Sequence, residues 1–177
     1  MKYLVDEEPQ FWRIIALKPF RETEGVSFDL LPMEALPRID GIDRVIHRHG
    51  AISPGAVGDV ARPWYVHHYQ EDNLLVLQGE RTAEIYTIAS GRVETFVVTP
   101  SRVIHNGVVA FEGAAMVVWP CHVFHRITSG KEGSASLNFA VRHPGFDINT
   151  AFDVYDLDTA TGEHRVIREG RLDQAPG

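Results

Sequence analysis

The sequence predicts an all-β chain folded as a sandwich or barrel, on three observations. From about residue 43 onward, short runs rich in β-branched and aromatic residues follow one another: RVIH, NLLVLQ, AEIYTI, VETFVV, a second RVIH, GVVAF, AMVVW, HRIT and SLNFAV. Turn residues separate them; Ser90 and Gly91 in ASGR suit a tight hairpin between AEIYTI and VETFVV. The run LLVL within Asn73 to Gln78 is apolar on both sides, as in a strand sealed by the core on one face and by a second layer on the other.

On either side of this β-rich stretch the texture differs. Residues 1–40 read as an irregular N-terminal arm: FWRIIAL is a short apolar strand or docking segment, and the two prolines of LLPMEALPRI interrupt any long helix. Beyond Pro144, AFDVYDL and HRVIR flank DTATGE and predict a C-terminal β-hairpin over about 147–170, placed to cover the barrel or reach a neighbouring subunit. One domain over 1–177 is expected, with its barrel core at about 43–142; 177 residues of 44% hydrophobic content can build a sizeable core.

Composition narrows the partners. A formal net charge of −7 repels phosphate backbones, and the 17 Lys and Arg are scattered, so no nucleic acid is expected. No window approaches the roughly 18 uninterrupted apolar residues of a membrane span, and acidic residues stand where a signal peptide would be apolar. The lone Cys121 has no internal disulfide partner and no thiolate zinc site around it. A cytoplasmic protein, without membrane association, is the expectation.

The chemistry concentrates in PWYVHHYQEDNLLVLQGE, residues 63–80, and FEGAAMVVWPCHVFHR, residues 111–126, which hold four of the nine histidines. In the second segment Gly113, Pro120 and His125 are spaced as a glycine, a proline and a histidine five beyond it; in the first, Asp72 stands seven before Gly79. In this the chain resembles the cupins, whose first motif places two histidines one residue apart, a Glu three or four later and a Gly seven after that. Here the carboxylate is one methylene shorter, and His67 and His68 are adjacent where the family would pair residues 65 and 67, or 66 and 68, which makes the partners Tyr65 and Val66. The resemblance spans about 43–142. It implies a double-stranded β-helix, the jelly-roll barrel shared with sugar-epimerase-like cupins, with a ligand or metal pocket inside.

Residues two apart on a strand face the same way, so adjacent histidines cannot both face the interior unless a bulge re-aims one. His68 is in phase with Asp72, Leu74 and Val76, whereas a turn at YQED would reset the phase in favour of His67. The candidate ligands are therefore His67, His68, Asp72 and His125, a set that suits Fe, Ni, Mn or Zn and leaves positions open for substrate. Asp72 is equally suited to capping a turn, and His122 either joins the pocket or sits in an exposed turn. Trp64, Tyr65, Tyr69 and Trp119 flank the motifs as pocket candidates or as packing. His47 and His49 form a second same-face pair, without a nearby carboxylate. Arg62, Arg81 and Arg126 could clamp a substrate carboxylate, although surface positions suit them better.

Three functions follow from the resemblance. One is a metal-dependent enzyme of dioxygenase, isomerase or decarboxylase type acting on a small molecule. The second is a metal-free barrel that binds or senses a small molecule. The third is a sugar-nucleotide-epimerase-like protein with a histidine base and a tyrosine acid. No nucleotide cofactor is implied, and a homodimer is expected from the apolar strand faces and terminal segments.

Overall fold

The structure is a computed structural model that describes residues 2–36 and 38–175. Two strands open it, β1 (Leu4–Glu8) and β2 (Trp12–Ala16), followed by a hairpin of β3 (Lys18–Thr23) and β4 (Val26–Leu30). Next come β5 (Gly41–His47), β6 (Ile52–Ser53), β7 (Trp64–Val66) and the long β8 (Gln70–Tyr86). The meander β9 (Val93–Thr99), β10 (Arg102–His105), β11 (Val108–Glu112) and β12 (Ala115–Trp119) leads to β13 (Phe124–Arg142). The hairpin β14 (Val154–Leu157) and β15 (His164–Arg168) completes the set.

All strands except β3 and β4 join one antiparallel sheet, whose backbone is the order β1-β2-β12-β8-β13-β7-β14-β15, with β5 and β6 also on β13 and β9 on β8. The two longest strands run side by side and turn through both layers: His125 pairs with Ile85 at one end and Arg142 with Gln70 at the other. This is the jelly-roll barrel of the cupins. Its interior holds Trp12, Ile14, Leu74, Val76, Ala83, Ile85, Phe96 and Val117. The expected two-sided burial of LLVL is met for its first three residues, because Leu75 packs outward with Leu36, Met116, Val118 and Phe139 while Leu74 and Val76 pack inward; Leu77 is exposed.

The N-terminal segment is more regular than its prolines suggest. Its apolar run FWRII supplies β2, which pairs with β12, and Ile14 and Ile15 are fully buried on opposite faces. Pro32 stands after β4, where the chain forms a 3-10 turn, Met33–Ala35, and lays Ala35 and Leu36 on the outer layer; Pro37 lies outside the described residues. The C-terminal hairpin also covers the barrel, with Tyr155 packed on Trp64, Val66, Tyr86 and Phe124.

A break in the ladder sets the barrel's interior. Ser136 faces Val76 whereas Ala135 faces Gln78, so Leu77 is an extra residue on β8. Such a bulge shifts alternation by one. Asp72, Leu74 and Val76 are buried before it, and Arg81, Ala83 and Ile85 after it, on the same inner side. Gly79 makes the crossing feasible: its φ is +72°, and a Cβ there would stand 2.2 Å from the carbonyl oxygen of Gly133. Gly79→Ala is expected to cost about 2–4 kcal/mol, from left-handed strain plus a backbone clash. Gly91→Ala, at φ +64° with nothing within 4 Å, should cost only about 1–2 kcal/mol. Urea unfolding of the two variants checks this, and equal losses would contradict the assignment.

Candidate metal centre and barrel pocket

Three side chains converge inside the barrel. His67 Nε2 lies 3.4 Å and His125 Nε2 3.7 Å from Asp72 Oδ2, and all three residues are about 5% exposed or less. Their ligand atoms lie within 4.8 Å of one another. His125 is the second residue of β13 and Asp72 the third of β8, whereas His67 belongs to the three-residue break between β7 and β8. That break explains which of the adjacent histidines turns inward. Counting alternation back from Asp72 favours His68, but regular strand ends at Val66 and resumes at Gln70, so the phase does not carry across.

The hydrogen bonds around these groups decide what the cluster can do. Nδ1 of His67 donates to the carbonyl of Ala151, and Nδ1 of His125 donates to the carbonyl of Val123 at 3.2 Å. A carbonyl oxygen only accepts, so both protons are fixed on Nδ1 and, in the neutral rings, both Nε2 lone pairs point at the carboxylate. Asp72 Oδ1 accepts from Gln70 Nε2 at 2.9 Å and Asn138 Nδ2 at 2.8 Å, and Oδ2 accepts from Trp119 Nε1 at 3.1 Å. The two amides cannot flip freely, because Gln70 Oε1 accepts from Arg142 and Asn138 Oδ1 accepts from the backbone N–H of Asn73.

Burial opposes charge on Asp72, but His67 and the amide donors of Gln70 and Asn138 outweigh it and hold the carboxyl below its usual pKa. Burial pushes His125 the other way, down to about 4, so its ring is neutral at pH 7. Two imidazole Nε2 atoms and a carboxylate oxygen converge on one point, an arrangement that a cation would join. The donor set fits a divalent metal: two imidazoles and a carboxylate, each ring oriented from behind, with the side toward the cavity left open.

The cavity beside them has a volume of about 300 Å³, and its wall includes Tyr65, Trp119 and Phe152 near the cluster and His47, Arg81 and Ser136 further in. Phe152 meets His67 edge-on at 5.0 Å, and Trp119 lies 5.3 Å from His125. Burial raises the pKa of Tyr65, which remains a protonated donor despite the opposing hydrogen bond with Ser53.

The remaining sequence candidates are placed elsewhere. His68 faces away from the barrel, toward His122 Nδ1 at 3.1 Å and the hydroxyl of Tyr155 at 3.3 Å. His122 is exposed in a turn at φ +67°. Tyr69 is 49% exposed, in the break that frees His67. Trp64 is buried outside the cavity, under the C-terminal hairpin, with Arg126 stacked 4.1 Å from its ring centre. His49 is exposed at φ +45° beyond the end of β5, so only His47 of that pair reaches the cavity. Burial raises the pKa of the Cys121 thiol, the opposite of activation. Arg62 and Arg126 both pair with Glu84.

Sequence reasoning missed Gln70, Asn138, Ala151 and Phe152. Gln70 and Asn138 carried a faint signal, as polar residues within apolar strands. The last two lie on the 143–153 connection, and nothing local marks them.

No family model and no curated protein matches the sequence. Solved structures do share the fold. A sugar 3,4-ketoisomerase from Thermoanaerobacterium thermosaccharolyticum in complex with TDP is similar with a TM-score of 0.56 at 10% identity, over 79% of this chain and 85% of that one. A TDP-quinovose 3,4-ketoisomerase from Campylobacter jejuni gives 0.52 at 13%, over 80% and 90%. A dTDP-4-dehydrorhamnose 3,5-epimerase from Sulfolobus tokodaii gives 0.50 at 13%, over 76% and 72%. The barrel fold is thus shared with these proteins.

Two buried histidines fix the acid response. His125 and His47 each fall from 6.5 to about 4, in both through burial first, with a like charge adding to it, His67 for the former and Arg81 for the latter. Below pH 6.5 the unfolded chain takes up protons that the folded one refuses, so stability present above that pH is lost as pH falls toward 4. The urea midpoint of chelator-treated protein should drop over this window, and His47→Gln should make the drop shallower. A midpoint that stays flat down to pH about 4.5 would contradict these environments.

Proposed function

We propose that this chain is a cupin enzyme that holds a divalent metal through His67, Asp72 and His125 and acts on a small molecule in the barrel. The observation that carries this is the pair of Nδ1–H donations to Ala151 and Val123, which directs both Nε2 lone pairs at the Asp72 carboxylate. A metal bound there would supply Lewis acidity toward a substrate carbonyl. Among the chain's own residues, Gln70, Asn138 and Trp119 hold the carboxylate still, Trp119 and Phe152 exclude water, and Tyr65 offers a proton from its hydroxyl. The sugar isomerases and epimerase that share the fold support an isomerase-type reaction, in which a proton is relocated next to a carbonyl.

A metal-free epimerase-like mechanism asks one histidine to donate to a carboxylate while its other nitrogen takes a proton from substrate. His67 does not suit that role, because its second nitrogen is committed to the Ala151 carbonyl. The expected result is one metal ion per chain in elemental analysis of the tag-free protein, lost in His125→Ala and Asp72→Asn and retained in His68→Ala. If none of Fe, Ni, Mn and Zn binds after reconstitution, the enzyme proposal fails and the barrel is a binding module.

The same proposal extends to assembly and location. The β3–β4 hairpin pairs only with itself, and all its strand residues are exposed, including Phe20, Val26, Phe28 and Leu30. Such a surface suits a two-fold partner copy, in a cytoplasmic dimer. Sedimentation should show a dimer that Phe20→Asp/Phe28→Asp converts to a monomer. A wild-type monomer at micromolar concentration would overturn it.

A further inference from the structure

The inner end of the cavity carries a positive charge that the metal chemistry does not use. Arg81 is 3% exposed and lines the cavity, yet among the described residues no carboxylate comes within 4.0 Å of its guanidinium. Its Nε donates to Ser134 Oγ at 2.9 Å and its Nη2 to the carbonyl of Val45 at 3.0 Å. Both acceptors are uncharged, and three of the five N–H donors are left over. An enclosed cation without a counter-ion is costly to keep. Asp43, the cavity's other carboxylate besides Asp72, accepts from Asn138 at 3.2 Å instead.

Two neighbours add donors. Ser136 is 1% exposed, lines the cavity, and its Oγ has no hydrogen-bond partner among the described residues. His47 is the end of a relay. Ser134 Oγ receives from Arg81, lies 2.6 Å from Ser129 Oγ, and Ser129 Oγ lies 2.9 Å from His47 Nδ1. When each hydroxyl donates onward from the Arg81 end, Nδ1 of His47 accepts and its N–H stands on Nε2. Arg81 brings donors alone, and Ser136 and His47 bring groups able to donate, to one end of the cavity.

Ser134, Ser136 and Asn138 share one face of β13, and the ladder opposite Ser136 and Asn138 is Val76 and Leu74. Asn138 holds Asp72 and Ser134 holds Arg81. The two ends of the cavity are therefore set by positions four residues apart on one strand, roughly 14 Å at the usual rise. A cavity of about 300 Å³ is at the small end for ligand sites.

We infer that the barrel binds a compact anion, its carboxylate or phosphate held by Arg81, Ser136 and His47 while the rest of the molecule extends toward His67, Asp72 and His125. This rests on the barrel pocket being the substrate site and names the substrate class. A guanidinium fork is matched to such oxyanions, and a charge-assisted pair in an enclosed site is strong.

The test compares butyrate and benzoate with their neutral amides, butyramide and benzamide, and with inorganic phosphate, by calorimetry on the protein as purified and after chelator treatment. The acids should bind about tenfold or more tighter than the amides, with or without chelator. Arg81→Met should erase that preference and leave metal content unchanged, so failure of the anion site and failure of the metal site are read separately. Should Arg81→Met not fold, Ser136→Ala, which removes only an unpartnered hydroxyl, should weaken the acids and spare the amides. Tighter binding of phosphate than of butyrate would indicate a phosphorylated substrate, and the reverse a carboxylic acid; either supports the anion site. Equal affinity for acids and amides in the wild type, or a preference that survives both variants, would overturn it.

Discussion

The ladder between β8 and β13, with its extra residue at Leu77 on β8, is the constraint on which the rest of the structure depends. A strand of 17 residues that kept strict alternation would place Asp72 and Arg81 on opposite faces. The bulge puts both inside one barrel. On the partner strand Ser134 accepts from Arg81 and Asn138 donates to Asp72. Gly79 lets β8 approach β13, and Gly133 lets β13 approach His47 at the end of β5, at separations no side chain would permit. Core and pocket are consequences of one register.

Within that frame the buried carboxylate of Asp72 organises the centre. A charge taken out of water is tolerated only when its lone pairs are satisfied, and Asp72 meets this with three N–H donors, two of them amides whose own oxygens accept elsewhere. The side of Oδ2 toward the histidines is left open. The result is a ligand held rigid before anything binds, which is how a first coordination shell gains precision from the groups behind it. Charge separation along the cavity follows the same logic: anionic Asp72 at one end, and at the other Arg81, whose pKa burial lowers to about 10, still a cation at neutral pH.

Much of this was legible in the sequence. The strand runs, the hairpins after Tyr86 and before Arg168, and the glycine, proline and histidine spacing ending at His125 all express short-range rules of turn chemistry and alternation. The resemblance to cupins added the barrel and drew attention to Asp72. Two things were not legible. The choice between His67 and His68 depends on where β7 stops and β8 starts, and no residue in HHY announces that break. The inward turn of Arg81 depends on a bulge at Leu77, which looks like an ordinary apolar strand position until Gly133 is known to face Gly79 across the ladder. Long-range register, unlike alternation, is fixed by pairs far apart in the chain. The backbone carbonyl of Ala151, 84 residues from His67, lies beyond any local pattern for the same reason.

The central claim is that two imidazoles present unprotonated Nε2 atoms to one carboxylate. Long-range proton–nitrogen correlation NMR on chelator-treated protein, at a pH where free imidazole is neutral, reads the tautomers of His67 and His125 directly. The account predicts the Nδ1–H form for both, with the two Nε2 resonances moving together when zinc is added. A proton found on Nε2 of either ring, or zinc leaving both resonances in place, would contradict it.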